Sequence, residues 1–323
     1  MNPSTQQQPR QGQALLGLLA ACSAGMLWGT GALVVDVLVS RHGFSPENIS
    51  FWRFSVGALV LLAVYGRQID WAVLKSLWLT MVAAGAAMAG YVLCWFLGIE
   101  RIGPAVPTLI ALCLPPVLVT LIGLARGTEA PGLGLFAALC AALAGTVMLV
   151  LGHGAGIDVG HTQNLWIGVA FSVASALLYT GFTLVSSRLS VSMGPGPSSA
   201  CLTVIAAVST SLFALIRPFH WPDSIPPQAW FLYLGLVTAA LALLAFSWGA
   251  ARLSPSTLTV ATLMEPLTAV LLSALLLNQS LRSSQWLGGA LLLLSIWVLG
   301  RRQAGVTGKK AGPTSPSCDT PGP

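Results

Sequence analysis

Long apolar stretches dominate the chain, and charged residues, prolines and glycines separate them at regular intervals. Three stretches contain no charged residue at all, at positions 14–35, 76–99 and 102–125. Each has the roughly 20 residues that an α-helix needs to cross the hydrocarbon core of a bilayer. The whole pattern predicts ten membrane-spanning helices, at about 14–38, 48–66, 76–98, 105–125, 132–151, 165–187, 197–216, 229–249, 257–277 and 285–300.

A phrase in the first half of the chain recurs in the second half. The segments GIERIGPAVPT (98–108) and GAARLSPSTLT (249–259) place Gly, Arg, Pro and Thr at identical spacing, 151 positions apart. Because the unit has five spans, an odd number, its two copies enter the membrane from opposite sides. The sequence therefore predicts inverted repeats, an architecture common among secondary transporters. The same offset aligns Gly17 with Gly168, Trp28 with Tyr179, Trp95 with Phe246 and Pro115 with Pro266.

The composition is that of a membrane protein. Hydrophobic residues make up 55% of the 323 residues and charged residues 7%, against about 25% charged residues in soluble domains. The predicted organisation is a cytoplasmic segment at 1–13, five-helix repeats at 14–152 and 165–301, and a disordered tail at 302–323 that is too polar to pack. The polar start leads into a full-length span without a small-residue cleavage pattern, so we expect no signal peptide.

The basic residues predict the orientation. With the N-terminus in the cytoplasm, four of them fall in outer loops: Arg41, Arg101, Arg217 and Arg282. Ten fall on the cytoplasmic side: Arg10, Arg67, Lys75, Arg126, Arg188, Arg252, Arg301, Arg302, Lys309 and Lys310. The positive-inside rule therefore favours a multi-pass protein of the inner (plasma) membrane with both termini in the cytoplasm. The net charge of +6 reflects this topology rather than nucleic-acid binding, because the sequence has no basic patch with interleaved aromatic residues.

Glu265 is the first candidate for a functional residue. It falls near the middle of the ninth span, directly before Pro266, which removes one helical hydrogen bond and frees a carbonyl beside the carboxylate. An ionisable side chain at this depth is costly, so we expect it to face the bundle interior or a water-filled cavity. Two interpretations stay open. Glu265 binds a substrate amine or a coupling proton, or it is a structural acid bonded to a neighbouring helix.

Two other charges and a pair of prolines lie in or near the spans. Arg53 is about a turn and a half inside the second span, where snorkelling or structural pairing is favoured over ligand binding. Asp36, near the outer end of the first span, pairs with Arg53 or is solvated, and solvation is favoured.

Pro115 and Pro266 fall at matching depths of the fourth and ninth spans. The backbone groups that these prolines leave without a hydrogen bond can line a central cavity, or the prolines simply bend the helices for packing.

Aromatic residues are candidates for the walls of such a cavity. Tyr91 and Trp95 share one face of the third span, and Trp28 is the repeat partner of Tyr179. The alternative is an interfacial belt, which is the better interpretation for Trp residues near span ends. The predicted substrate-binding residues are Trp28, Tyr91, Trp95, Thr108, Pro115, Tyr179, Phe246, Thr259 and Glu265, with Glu265 also the coupling candidate.

Four stretches resemble the EamA-type drug/metabolite transporters: GMLWGTGALVV (25–35), FWRFSVGALVLL (51–62), IGPAVPTLIALCLPPVLVTLIGLARGTEAP (102–131) and LSPSTLTVATLMEPLTAVLLSALLLNQSLRSSQWLGGALLL (253–293). With the doubled five-span layout, the resemblance extends over about 14–300. It implies a ten-helix carrier of small metabolites, often an exporter from bacteria, with amino-acid exporters among its members. One position departs from the family, because Gln279 stands where an acid usually follows the ninth span, as Glu129 follows the fourth.

The predicted function is a secondary transporter that exports small metabolites, such as amino acids or amphipathic compounds, by alternating access, with a proton as the candidate coupling ion. The sequence contains no nucleotide-binding loop, nucleophile elbow or zinc motif. We therefore expect neither an enzyme nor an ATP-driven pump, and no cofactor or metal. An uncoupled facilitator and a non-transporting scaffold or sensor stay open as alternatives, whereas a lipid-modifying enzyme is disfavoured because only one acid is deep in a span.

Overall fold

The structure, a computed structural model, describes residues 11–102, 105–129, 131–151, 162–215, 218–276 and 281–309. No strand occurs in these ranges, and ten of the helices found there are long and apolar enough to cross a membrane. Gln279 and most of the predicted terminal segments lie outside the described residues.

Each half of the chain contributes five spanning helices. The first half forms α1 (Gln11–His42), α2 (Pro46–Tyr65), α3 (Trp71–Ile102), α4 (Ala105–Ala125) and α5 (Leu133–Leu151). The second half forms α6 (Thr162–Met193), α7 (Pro195–Ser211), α8 (Pro227–Ala250), α9 (Pro255–Leu276) and α10 (Ser283–Lys309). Two helices are irregular. A π-helical segment, Leu234–Leu241, lies within α8, and α9 is interrupted at Leu263.

Helix-capping residues determine where α2 and α9 begin. In each helix a serine precedes a proline at the first helical position, a combination that favours a helix start. The side chain of Ser45 accepts a hydrogen bond from the backbone N–H of Asn48 at 3.3 Å, and that of Ser254 accepts one from Thr257 at 3.4 Å. These caps fix the ends from which α2 and α9 enter the helical bundle.

The packing of the helices follows a two-fold relation between the halves. α1 packs against α8 and α9, and its repeat partner α6 packs against α3 and α4. α2 contacts α7, and α5 contacts α10, so each of these helices meets its own repeat partner. The predicted fold class, an all-α integral membrane protein of ten transmembrane helices in two inverted five-helix repeats, is confirmed.

The repeated phrase has the same structural role in both halves. It begins with a glycine near the end of α3 or α8, where the helix touches the first helix of the other repeat. A Cβ added at Gly98 would lie 3.3 Å from the carbonyl oxygen of Gly168 on α6. A Cβ added at Gly249 would lie 3.0 Å from the carbonyl oxygen of Gly17 on α1. The segment therefore occurs in both halves because each repeat makes the same close helix contact with the other.

Candidate functional site

A cavity of about 480 Å³ lies between the repeats, with side chains from α1, α2, α3, α4, α6 and α9 on its walls. Its size and mostly apolar walls with a few polar groups are typical of small-molecule sites. The mouth lies where α1 ends and α2 begins. The mouth residues Asp36, Val39 and Glu100 are exposed, and Glu100 makes a 3.8 Å ion pair with Arg101. The cavity is therefore open to solvent at this end.

Six of the nine predicted substrate-binding residues line this cavity: Trp28, Tyr91, Trp95, Thr108, Tyr179 and Glu265. The other three do not reach it. Phe246 and Thr259 are packed in the interior, with 0% and 1% of their surface exposed, and Pro115 is buried within α4. Thr259 donates its hydroxyl to the carbonyls of Pro255 and Ser256 on its own helix, which keeps its side chain within the packing.

Pro115 and Pro266 influence the cavity through the residues one turn before them. A proline has no N–H, so within a helix it leaves the carbonyl four residues earlier without its usual donor. For Pro115 this residue is Ala111, and for Pro266 it is Thr262. Both residues line the cavity, and they are partners under the repeat. The broken hydrogen bonds thus place two backbone acceptors on residues of the cavity wall.

Glu265 belongs to the cavity wall just after the interruption of α9. Its side chain is half-buried, and its carboxylate accepts no hydrogen bond within 3.5 Å from any described residue. No basic group of the described ranges lies within 4.0 Å of it. The carboxylate is therefore available to a ligand.

Arg53 also lines the cavity, from α2, although the sequence favours snorkelling or structural pairing for this residue. Its Nη2 donates to the carbonyl oxygen of Thr238 at 3.3 Å, and the same oxygen accepts a hydrogen bond from Nε1 of Trp28 at 3.0 Å. Thr238 lies in the π-helical segment of α8, and such segments are frequent at functional sites. The carbonyl of Thr238 thus positions both the indole ring of Trp28 and the guanidinium of Arg53 in the cavity wall.

Below the acids at its mouth, the cavity is therefore lined by one further acid, Glu265, and one base, Arg53, which do not form an ion pair. Arg53 and Glu265 interact electrostatically, but their charged atoms are more than 4.0 Å apart. The Nε of Arg53 is buried and has no hydrogen-bond partner within the described ranges. Each charge thus keeps unused capacity for hydrogen bonding.

Five aromatic residues close the deep end of the cavity, and we call them the aromatic floor: Trp28, Tyr91, Tyr179, Phe182 and Phe246. Trp28, Tyr91 and Tyr179 are its upper members, because they line the cavity. The ring centroids of Tyr91 and Tyr179 are 5.1 Å apart, those of Phe182 and Phe246 are 5.3 Å apart, and Trp28 lies 5.5 Å from Phe246. Phe182 and Phe246 lie behind the upper members, with 1% and 0% of their surface exposed.

Two glycines bring α1 directly against the interrupted part of α9. A Cβ added at Gly25 would lie 2.6 Å from the carbonyl oxygen of Thr262, and one added at Gly29 would lie 2.5 Å from the carbonyl oxygen of Glu265. Real Cβ atoms essentially never make contacts this short. Small residues are the usual means by which membrane helices approach closely, and here they place α1 against the backbone that carries the candidate acid.

Comparison with known proteins relates this architecture to membrane transporters. The model of a family described as the EamA-like transporter family matches residues 15–151 and 166–301. The chain is 28% identical over 295 residues to the "Uncharacterized transporter YwfM" of Bacillus subtilis (strain 168), a match that covers 85% of this chain and 90% of that protein. It is 26% identical over 293 residues to the "Uncharacterized inner membrane transporter YicL" of Salmonella typhimurium, with coverage of 88% and 95%.

A solved crystal structure has the same fold. It superimposes with a TM-score of 0.73 at 22% sequence identity, and the match covers 90% of this chain and 98% of that chain. At this level of identity the likeness concerns the arrangement of the helices.

Proposed function

This chain belongs to the EamA-like transporter family and is a multi-pass membrane transporter, and from this premise we propose that it exports small amphipathic metabolites, such as amino acids, by alternating access. One observation carries the proposal. The cavity is open at one end, closed by the aromatic floor at the other, and contains the Glu265 carboxylate, which has no hydrogen-bond partner and no ion pair within 4.0 Å among the described residues. Such a compartment can receive a small molecule from one side of the membrane at a time.

The proposed orientation has both termini in the cytoplasm and the protein in the inner membrane. Its support is the excess of basic residues in the segments that then face the cytoplasm. In this orientation the mouth beside Asp36 and Glu100 faces the outside, and the aromatic floor separates the cavity from the cytoplasm. The cavity is thus in the state from which an exporter releases its substrate.

The difference between the two repeats supports alternating access. Trp95 and Thr108 line the cavity, whereas their repeat partners Phe246 and Thr259 are buried. In inverted-repeat transporters the two halves exchange conformations when the opposite side opens. We therefore propose an inward-open state in which Phe246 and Thr259 line the cavity, and Trp95 and Thr108 are covered.

Glu265 is proposed to couple export to proton entry. Its carboxylate binds a cationic group of the substrate during the outward step, and after release to the outside a proton takes the place of that group. The neutral, protonated carboxyl then returns with the inward-open state and releases its proton to the cytoplasm. Each cycle exchanges one substrate molecule for one proton, which uses the inward proton gradient to drive export.

Proteoliposomes give a direct test of the proposed function. We expect cells that produce the protein to accumulate one or a few amphipathic metabolites in the medium. The purified protein in liposomes should transport the same compounds faster when a pH gradient is imposed, and empty liposomes are the control. Transport at an equal rate without the gradient would favour an uncoupled facilitator. If the liposomes transport none of the compounds whose levels differ between cells with and without the protein, a scaffold or sensor is favoured instead.

The repeat partners Thr108 and Thr259 provide a test of alternating access and of orientation. Threonine and cysteine are similar in size, so Thr108→Cys and Thr259→Cys, in a protein whose six native cysteines are replaced, should leave the fold intact. We expect a membrane-impermeant thiol reagent to modify Thr108→Cys when it is added to intact cells, and to modify Thr259→Cys when it is added to the outside of inverted vesicles, where the cytoplasmic face is exposed. Modification of both positions from the same side would contradict the exchange of the two repeats.

A further inference from the structure

We propose that Arg53 and Glu265 form a bipolar recognition site that selects zwitterionic substrates, in which an anionic and a cationic group are a few bonds apart and an apolar side group is attached. This inference rests on the proposed transport function and narrows it, because a cation without an anionic group, or a neutral apolar drug, would satisfy only part of the site.

The first support is the unused hydrogen-bonding capacity of Arg53. A guanidinium group has five N–H donors in a fixed, planar arrangement. Among the described residues, the guanidinium makes one hydrogen bond, from Nη2 to the carbonyl oxygen of Thr238 at 3.3 Å, and its Nε is buried without a partner. Because this arrangement matches a carboxylate or phosphate in a bidentate manner, an anionic group of the ligand would satisfy the free donors.

The second support is the separation of the two charges. A direct ion pair would satisfy both groups, but Arg53 and Glu265 interact only at more than 4.0 Å. Unpaired charges within a membrane are costly and mark functional positions. A zwitterion resolves this situation, because its carboxylate can bind the guanidinium while its ammonium group binds the Glu265 carboxylate.

The third support is the fixed position of Arg53. The sequence favours a side chain that snorkels to the interface, but the bond to Thr238 holds the guanidinium at the level of Trp28, a member of the aromatic floor. The indole N–H of Trp28 is already bonded to the same carbonyl. The ring therefore presents only apolar surface to the cavity. Trp95, Phe96 and Leu112 add further apolar surface. This surface suits an aliphatic or aromatic side group beside the two charged groups.

Three probes with the same ring and different charges test the inference by binding to the purified protein at neutral pH. They are phenylalanine, which is a zwitterion, phenethylamine, which lacks the carboxylate, and 3-phenylpropanoate, which lacks the amine. We expect the wild-type protein to bind phenylalanine at least about 10-fold more tightly than either of the others, since one hydrogen bond to a charged group contributes this much or more. The series of leucine, 3-methylbutylamine and 4-methylpentanoate repeats the comparison with a smaller side group.

Two substitutions should change the selectivity in opposite directions. Arg53→Gln should weaken phenylalanine binding by about 10-fold or more and change phenethylamine binding by less than about threefold. Glu265→Gln should weaken phenylalanine and phenethylamine binding and leave 3-phenylpropanoate binding unchanged. Arg188→Gln, at an exposed position on α6, is the matched control and should bind all three probes like the wild type. If Arg53→Gln does not fold, Arg53→Lys keeps the charge without the planar donors and should still lose part of the preference for phenylalanine.

Several results would overturn the bipolar site. One is that the wild type binds a zwitterion and its amine analogue with equal affinity. Another is that it binds neither phenylalanine nor leucine. A third is that Arg53→Gln loses the same amount of affinity for all three probes. The proposed function is judged separately by the proteoliposome assay. Transport of a compound without an anionic group would overturn the bipolar site alone, whereas the absence of any transport would overturn the proposed function.

Discussion

Replacing Glu265 with glutamine is expected to lower both net export and substrate-for-substrate exchange by about 30-fold or more. Loss of one partner from a buried charge pair costs at least about 2 kcal/mol, and in the proposed complex the substrate cation is the other partner. Glutamine keeps the shape and the hydrogen-bonding capacity of the side chain but cannot ionise. It therefore removes the attraction for the cation and the site for the coupling proton together. Initial rates in proteoliposomes, with and without a pH gradient, measure the two modes.

The matched control for Glu265→Gln is Asp223→Asn, which makes the same carboxylate-to-amide change at an exposed position in the loop before α8. This control should transport at the wild-type rate in both modes. If Glu265→Gln loses only the gradient-driven mode and keeps exchange, the acid binds the proton but not the substrate cation. If the variant is folded and transports normally in both modes, Glu265 is a structural residue and both proposed roles are wrong.

The fold was predictable from the sequence because a bilayer permits few solutions. Backbone polar groups in the hydrocarbon core must be bonded within the chain, so each apolar run of sufficient length becomes a helix. The phrase repeated at 98–108 and 249–259 then identifies the two halves, and its first glycine in each copy makes the same close contact between them. The helix ends were less predictable. For example, α3 continues to Ile102 although its charge-free run ends at Ile99.

The candidate site was only partly predictable, because sequence gives depth along a helix but not which groups face each other. The depth of Glu265 is readable from the apolar run around it and from Pro266. The anchor of Arg53 is not, since it depends on a π-helical turn at Thr238 within LGLVTAAL, a segment with no proline or charge to indicate it. The sequence also treats Trp95 and Phe246 as equivalent, whereas in the structure only Trp95 of this pair lines the cavity.

The second large effect is expected at Gly29, where the addition of a single methyl group should disturb the site without touching any charged group. A Cβ at this position would lie 2.5 Å from the carbonyl oxygen of Glu265 and 2.8 Å from the Cβ of Thr268. Both neighbours belong to α9 close to Pro266, so the contact cannot be relieved by rotation of a flexible side-chain end. Gly29→Ala must push α1 away from α9, and such overpacking typically costs about 1–3 kcal/mol.

We therefore expect Gly29→Ala to lower the melting temperature of the purified protein and to weaken substrate binding, because α1 carries Trp28 and α9 carries Glu265, and both residues line the same cavity. The matched control is Gly181→Ala on α6, where an added Cβ meets no atom within 4 Å. Since alanine is the better helix former, this control should be as stable as the wild type or slightly more stable. Equal melting temperatures and equal affinities for the two variants would contradict the direct contact between α1 and the backbone of Glu265, and with it the geometry on which the bipolar site depends.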